Sequence, residues 1–185
     1  YEVDDHFGVT LAALAVGMTP DDYRNTPAAR AGRGRLYGYL KKHPPASGHQ
    51  KAMTLWAAKF TRDLITKDEQ RQWTDDLFAL QHADGGWALF DLGDADWQRE
   101  DDKPQDQMSD GYATGFVIYA LRQTGVGADD ERLCRGLGWL KQNQRESGRW
   151  FTRSPRRDGK HFITQAGTNF AIAAIKSMES TQDVP

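Results

Sequence analysis

Gln81, Gly85 and Trp87 recur as Gln144, Gly148 and Trp150, residue for residue, 63 positions later. A Gln-x3-Gly-x-Trp pattern repeated at one interval means that one local structure is built twice. Each residue type suits the end of a helix. A glutamine near a helix C-terminus can donate to backbone carbonyls that have lost their helical partners. Glycine supplies the positive φ that lets the chain turn away. Tryptophan then lays a large apolar face over the junction. These six residues are read as two structural staples, each closing a surface helix.

The rest of the chain supplies the helices that such staples would close. Residues 4–17 are apolar nearly all round, which predicts burial on both sides. Pro20 and the acidic stretch behind it end that element. Residues 27–42 form an amphipathic surface helix with Leu36, Tyr39 and Leu40 on one stripe, stopped by Pro44-Pro45. A mostly buried helix spans 48–65, and Thr66 with Glu69 forms a capping box for the surface helix leading to the first staple. After a polar, aspartate-rich loop over 88–109, Ser109-Asp110 caps a buried helix ending before Gly125. Asp129-Asp130 caps the surface helix carrying Leu133, Leu137 and Leu140 into the second staple. A basic loop leads to a last buried helix over 164–178, and residues 181–185 are expected to fray.

Surface and buried helices thus alternate every 54–64 residues per pair, and Tyr112 to Phe116 and Ala166 to Phe170 open equivalent buried helices. Strand-like period-2 patterns are absent. The fold class is all-α, built from stacked helix pairs that bury their faces on one another. Residues 1–180 read as a single domain, and the chain reads as a piece of a longer one because it starts in mid-motif.

The second staple lies in Arg135-Gly136-x3-Leu140-x3-Gln144-x3-Gly148-x-Trp150. This resembles the QW motif of the squalene-hopene cyclase and oxidosqualene cyclase family. The first copy keeps Leu77, Gln81, Gly85 and Trp87 but carries Gln72-Trp73 where the family has a basic residue and glycine. The resemblance covers residues 72–178, and the N-terminal third follows by pattern alone. It implies an arc of an α/α toroid of the terpenoid-cyclase and prenyltransferase type. It also implies protonation-initiated cyclisation of a linear triterpene, with no cofactor.

Glu2, Asp4 and Asp5 resemble the family's acidic DxDD motif, with Glu in place of the first Asp and His6-Phe7 following. An acid that protonates an alkene needs neighbouring acids at the mouth of an apolar cavity. The other reading is that Asp4 or Asp5 caps the helix behind it. Phe7, Trp56, Tyr112, Phe116 and Phe170 fall on the buried helices. In a cyclase such rings wall the cavity and stabilise cations, while as ordinary aromatics they pack the core. The partner implied is an apolar isoprenoid or another hydrophobic small molecule, together with the missing remainder of the chain.

Other chemistries fit less well. Asp91, Gly93, Asp94 and Asp96 only loosely follow a Ca²⁺ loop, and an acidic run of this kind is expected to be a solvated loop. His49 and His161 stand without spaced partners, and Cys134 has none either, so no metal site is expected. A charged fraction of 27% with net charge −2 argues against a nucleic-acid surface. The longest uncharged runs, 7–20 and 162–175, hold 14 residues, short of the roughly 20 of a transmembrane helix. The expected chain is therefore soluble, cytoplasmic or peripheral to a membrane. Two rivals stand beside the cyclase reading. One is a non-catalytic toroid module that binds an apolar ligand or a protein. The other is a carbohydrate-active toroid, which would draw paired carboxylates from Asp110 or the 91–106 loop.

Overall fold

The computed structural model describes residues 4–61, 63–93, 97–159 and 162–180. Glu2, Asp94, Asp96, His161 and the 181–185 tail lie outside the described residues. Among the described residues the chain is all-helical: α1 (Asp5–Gly17), α2 (Asp21–Arg24), α3 (Pro27–Lys42), α4 (Gly48–Phe60), α5 (Lys67–Ala79), α6 (Leu89–Leu92), α7 (Gly111–Gln123), α8 (Glu131–Gln142) and α9 (Phe162–Glu179).

Side-chain caps set most of the helix starts, because the first turn leaves backbone N–H groups without partners. Asp4, Thr26, Ser47, Asp110 and Asp130 each accept from N–H groups of the turn they open. Thr66 and Glu69 close a reciprocal capping box at α5. Three boundaries depart from expectation. α4 stops at Phe60 rather than 65, because Thr61 turns its hydroxyl back onto the Ala57 carbonyl and Asp63 takes φ 62°. The acidic stretch after Pro20 winds into α2. The 88–109 loop contains α6, whose Leu89 and Leu92 are buried.

Helices α1, α4, α7 and α9 form a row in which each packs on the next, while α3, α5 and α8 lie against α1, α4 and α7 respectively. The main core sits among α4, α5, α7, α8 and α9. A smaller cluster of Ala13, Leu14, Leu40, Ala57 and Leu64 joins α1, α3 and α4, and Trp56 and Ile65 pack against both. α7 and α9 make the most extensive helix contact in the fold, with their backbones close together. A Cβ on Gly115 would lie 2.5 Å from the Ala171 nitrogen, and one on Gly167 would lie 3.0 Å from the Tyr112 nitrogen.

α7 is buried on nearly every face, as its composition predicts. α1 is not, which corrects the expectation of burial on both sides. It exposes Leu11 at 46%, and Met18 just behind it at 58%, because its main packing is on α3 and α4. α9, at the other end of the row, exposes Phe162 and Ile172.

Both staples have one geometry, and it differs from the expected one in a single respect. Trp87 and Trp150 are buried, and their indole Nε1 groups donate to the carbonyls of Leu77 and Leu140 at 2.7 and 2.8 Å. Each leucine is third from the end of its helix, so the indole satisfies a helix-end carbonyl. The glutamines do not take that role. Gln81 and Gln144 donate to the carbonyls of Gly85 and Gly148 at 2.8 and 3.0 Å, clamping a loop whose glycines hold φ of 90° and 77°. Gln81 also reaches the following surface helix, donating to the Arg132 carbonyl and accepting from Arg135, both at 2.8 Å. Gly136 leaves room for the Trp87 ring, which a Cβ there would meet at 2.8 Å.

Candidate functional site

The five aromatics singled out from the sequence come together on the α1–α4–α7–α9 row. Phe116 and Phe170 have ring centroids 4.9 Å apart, Tyr112 and Phe170 5.5 Å, and Trp56 meets Phe170 edge-on at 6.1 Å. Phe7 joins through His49, at 5.5 Å. Tyr112 and Phe116 are buried core groups, whereas Phe7, Trp56 and Phe170 are half-buried. Three further rings belong to the cluster: His49, Trp97 and Tyr119. Two of them had a legible signal. His49 occupies the second position of α4, as Tyr112 does in α7, and Tyr119 lies two helical turns beyond Tyr112 on the same face.

The polar end of the cluster is organised around His49. Its Nε2 lies 2.9 Å from the Tyr112 hydroxyl, while its Nδ1 is buried without a partner. Burial pushes its pKa down to about 4, against the opposing pull of the Asp4 charge. Asp4 itself is committed as an acceptor: its Oδ1 takes the Phe7 N–H at 2.9 Å and the Gln50 amide at 3.0 Å. Asp4 therefore caps α1 beside the aromatic cluster, whereas Asp5 is exposed. His6 is buried on α1 with its Nδ1 3.3 Å from the Thr10 hydroxyl, and burial lowers its pKa.

Asp110 fastens the start of α7. Its carboxylate accepts from the N–H groups of Leu89, Tyr112 and Ala113 and from the Thr152 hydroxyl, at 2.6–3.0 Å. Burial nevertheless raises its pKa to about 6, since those donors only partly offset the loss of water. Asp110 is thus a buried cap, its carboxylate held by four donors of the protein itself.

The 97–106 segment departs from the solvated loop expected. Trp97 packs on His49 with centroids 5.5 Å apart. Arg99, its side chain only 2% exposed, pairs with Asp101 at 2.6 Å and Asp158 at 2.9 Å and donates to the Ser154 carbonyl. Lys103 and Arg153 also hold Asp158, and Arg156 holds Glu100. The acidic and basic loops are thus latched to each other. Among the described residues no group of three or more His, Cys, Asp or Glu side chains could hold a metal ion. Cys134 is exposed, with its thiol toward the Ala128 carbonyl. His82, between Asp91 and Ser109, was not singled out from the sequence. The Ser109 hydroxyl also donates to Asp84, so this chain of polar groups closes the first staple loop.

No protein-family model and no curated protein matches the chain. No helix among the described residues is long and apolar enough to cross a membrane.

Proposed function

We propose that the chain is an arc of an α/α toroid of the squalene-hopene cyclase type, and that the aromatic face of its buried row is one wall of an apolar triterpene chamber. The observation that supports this reading is the pairing of two features. The Gln-Gly-Trp staple is built twice with the same hydrogen bonds. The row it braces carries Phe7, Trp56, Tyr119 and Phe170 as half-buried rings on one connected cluster. A surface of this kind binds polycyclic or folded isoprenoid chains by apolar burial and, once cationic, by cation–π attraction.

The chemical step asks more than this chain supplies. Protonating an alkene requires a neutral carboxyl shielded from water. Asp5 is exposed, and Asp4 is occupied as a helix cap, its Oδ1 accepting from the Phe7 N–H and the Gln50 amide. The chain alone therefore binds a triterpene without cyclising it. This also favours a second reading, a toroid module that binds an apolar ligand and does no chemistry. The test is incubation of the purified chain with squalene in detergent, with Asp4→Asn and Asp5→Asn as controls and product analysis by mass spectrometry. Unchanged squalene is expected. Cyclic product from the parent chain but not from one of the variants would make that aspartate the proton donor.

A further inference from the structure

The internal repetition exposes a seat that this chain leaves without its tryptophan. In α5 and α8 the third residue from the end is a leucine, Leu77 or Leu140, whose carbonyl takes an indole N–H from the staple behind it. The same position in α3 is Leu40. Behind α3, however, the chain runs through His43, Pro44 and Pro45 into α4, with no tryptophan between the two helices. Proline has no N–H, so Pro44 and Pro45 cannot return the helical hydrogen bond to the carbonyls four residues earlier, those of Leu40 and Lys41.

The opposite wall is inverted in the same way. The ring of Trp87 lies against Gly136, six residues before the last of α8. The corresponding residue of α5 is Trp73, a large ring where the other junction has none. Between these two walls lies a pocket of about 490 Å³, lined by Leu40, Thr54, Leu64, Ile65 and Trp73, with Lys41 and Lys67 among its charged neighbours. Its volume falls in the roughly 300–1,000 Å³ range of small-molecule sites.

We propose that this pocket is a binding seat for an indole group from outside the chain. The ring lies against Trp73 and the indole N–H donates to the Leu40 carbonyl, as Trp87 and Trp150 donate to Leu77 and Leu140. A tryptophan side chain of a peptide and a free indole share this chemistry. The inference rests on the internal repeat and is independent of triterpene binding.

The experiment is a two-dimensional ¹H–¹⁵N NMR titration of the whole chain with indole, N-acetyltryptophanamide and 1-methylindole. Indole or N-acetyltryptophanamide should produce saturable shifts at the amides of Leu40, Thr54 and Ile65 and at the Trp73 indole N–H. Tighter binding of N-acetyltryptophanamide assigns the seat to a peptide side chain, and tighter binding of indole assigns it to the free heterocycle. 1-Methylindole, which lacks the donor, should bind about five-fold more weakly than indole. Pro44→Ala restores an N–H that competes for Leu40 and, because Pro44 also lines the pocket, should weaken indole more than 1-methylindole. No saturable shift at these residues, or 1-methylindole binding as well as indole, overturns the proposal. The methylindole comparison uses the unaltered chain, so it stands even if Pro44→Ala fails to fold.

Discussion

Burial holds His49 neutral, with a pKa near 4 against about 6.5 for an exposed histidine, and this makes stability depend on pH. Above pH 6.5 the ring is neutral in both folded and unfolded chains, and its contribution is fully present. As pH falls from 6.5 toward 4 the unfolded chain takes up the proton first, so stability is progressively lost. Asp110 works in the opposite sense. Its carboxyl is raised to about 6, so its contribution is present below the ordinary carboxyl pKa and lost as pH rises through 6. The two are separated by one variant. In His49→Phe, the fall in urea midpoint between pH 7.5 and pH 4.5 should be smaller than in the parent chain. An equal fall in both would mean that His49 does not carry the effect. The sequence marked His49 only as a lone histidine at a helix start. Its neutrality comes from four rings on two helices and one loop closing around it, which no local spacing encodes.

The staples make their prediction at the same scale. Trp150→Ala removes a buried ring and a donor to a helix-end carbonyl, and should cost about 3–5 kcal/mol. Trp97→Ala should cost less, because that ring is half-buried and lies on a loop. Equal losses in denaturant melts would contradict this ranking. The Gln-Gly-Trp spacing was enough to locate both helix ends. It could not say which side chain reaches the helix carbonyl, since glutamine and indole both donate and only the fold sets their reach.

Among the elements, the contact between α7 and α9 is decided by glycines. Gly115→Ala would bring a methyl against the backbone of Phe170 and Ala171, which cannot swing aside, and should cost about 1–3 kcal/mol. Gly138→Ala, on α8 with nothing within 4 Å of the added methyl, should instead stabilise by about 0.5–1 kcal/mol. Two losses of similar size would show that backbone approach is not what limits Gly115. The latch between the 97–106 and 153–158 segments belongs to this scale too. Arg99→Ala removes a nearly buried guanidinium that four oxygens share, so both segments should become more sensitive to limited proteolysis than α7 or α8. The acidic run 91–106 and the basic run 153–158 were each legible as charged loops. Their pairing was not, because it joins segments about 55 residues apart in sequence.

For the whole molecule, alternation of surface and buried helices was readable because helix periodicity and caps are local properties. The order of packing was not. α1 and α7 are both strongly apolar, yet α7 is enclosed by neighbours while α1 and α9 end the row and keep apolar side chains on their outer faces. The five aromatics read from the sequence converge because the row places α1, α4, α7 and α9 side by side. The central claim is that this convergence makes a face for a triterpene. Its most direct measurement follows the Trp56 indole N–H by NMR while squalene is delivered to the chain from cyclodextrin. A saturable shift at Trp56 is predicted, with affinity about ten-fold weaker in Phe170→Ala through loss of a half-buried ring. No saturable shift at Trp56 in the folded chain, or one that Phe170→Ala leaves unchanged, would contradict it.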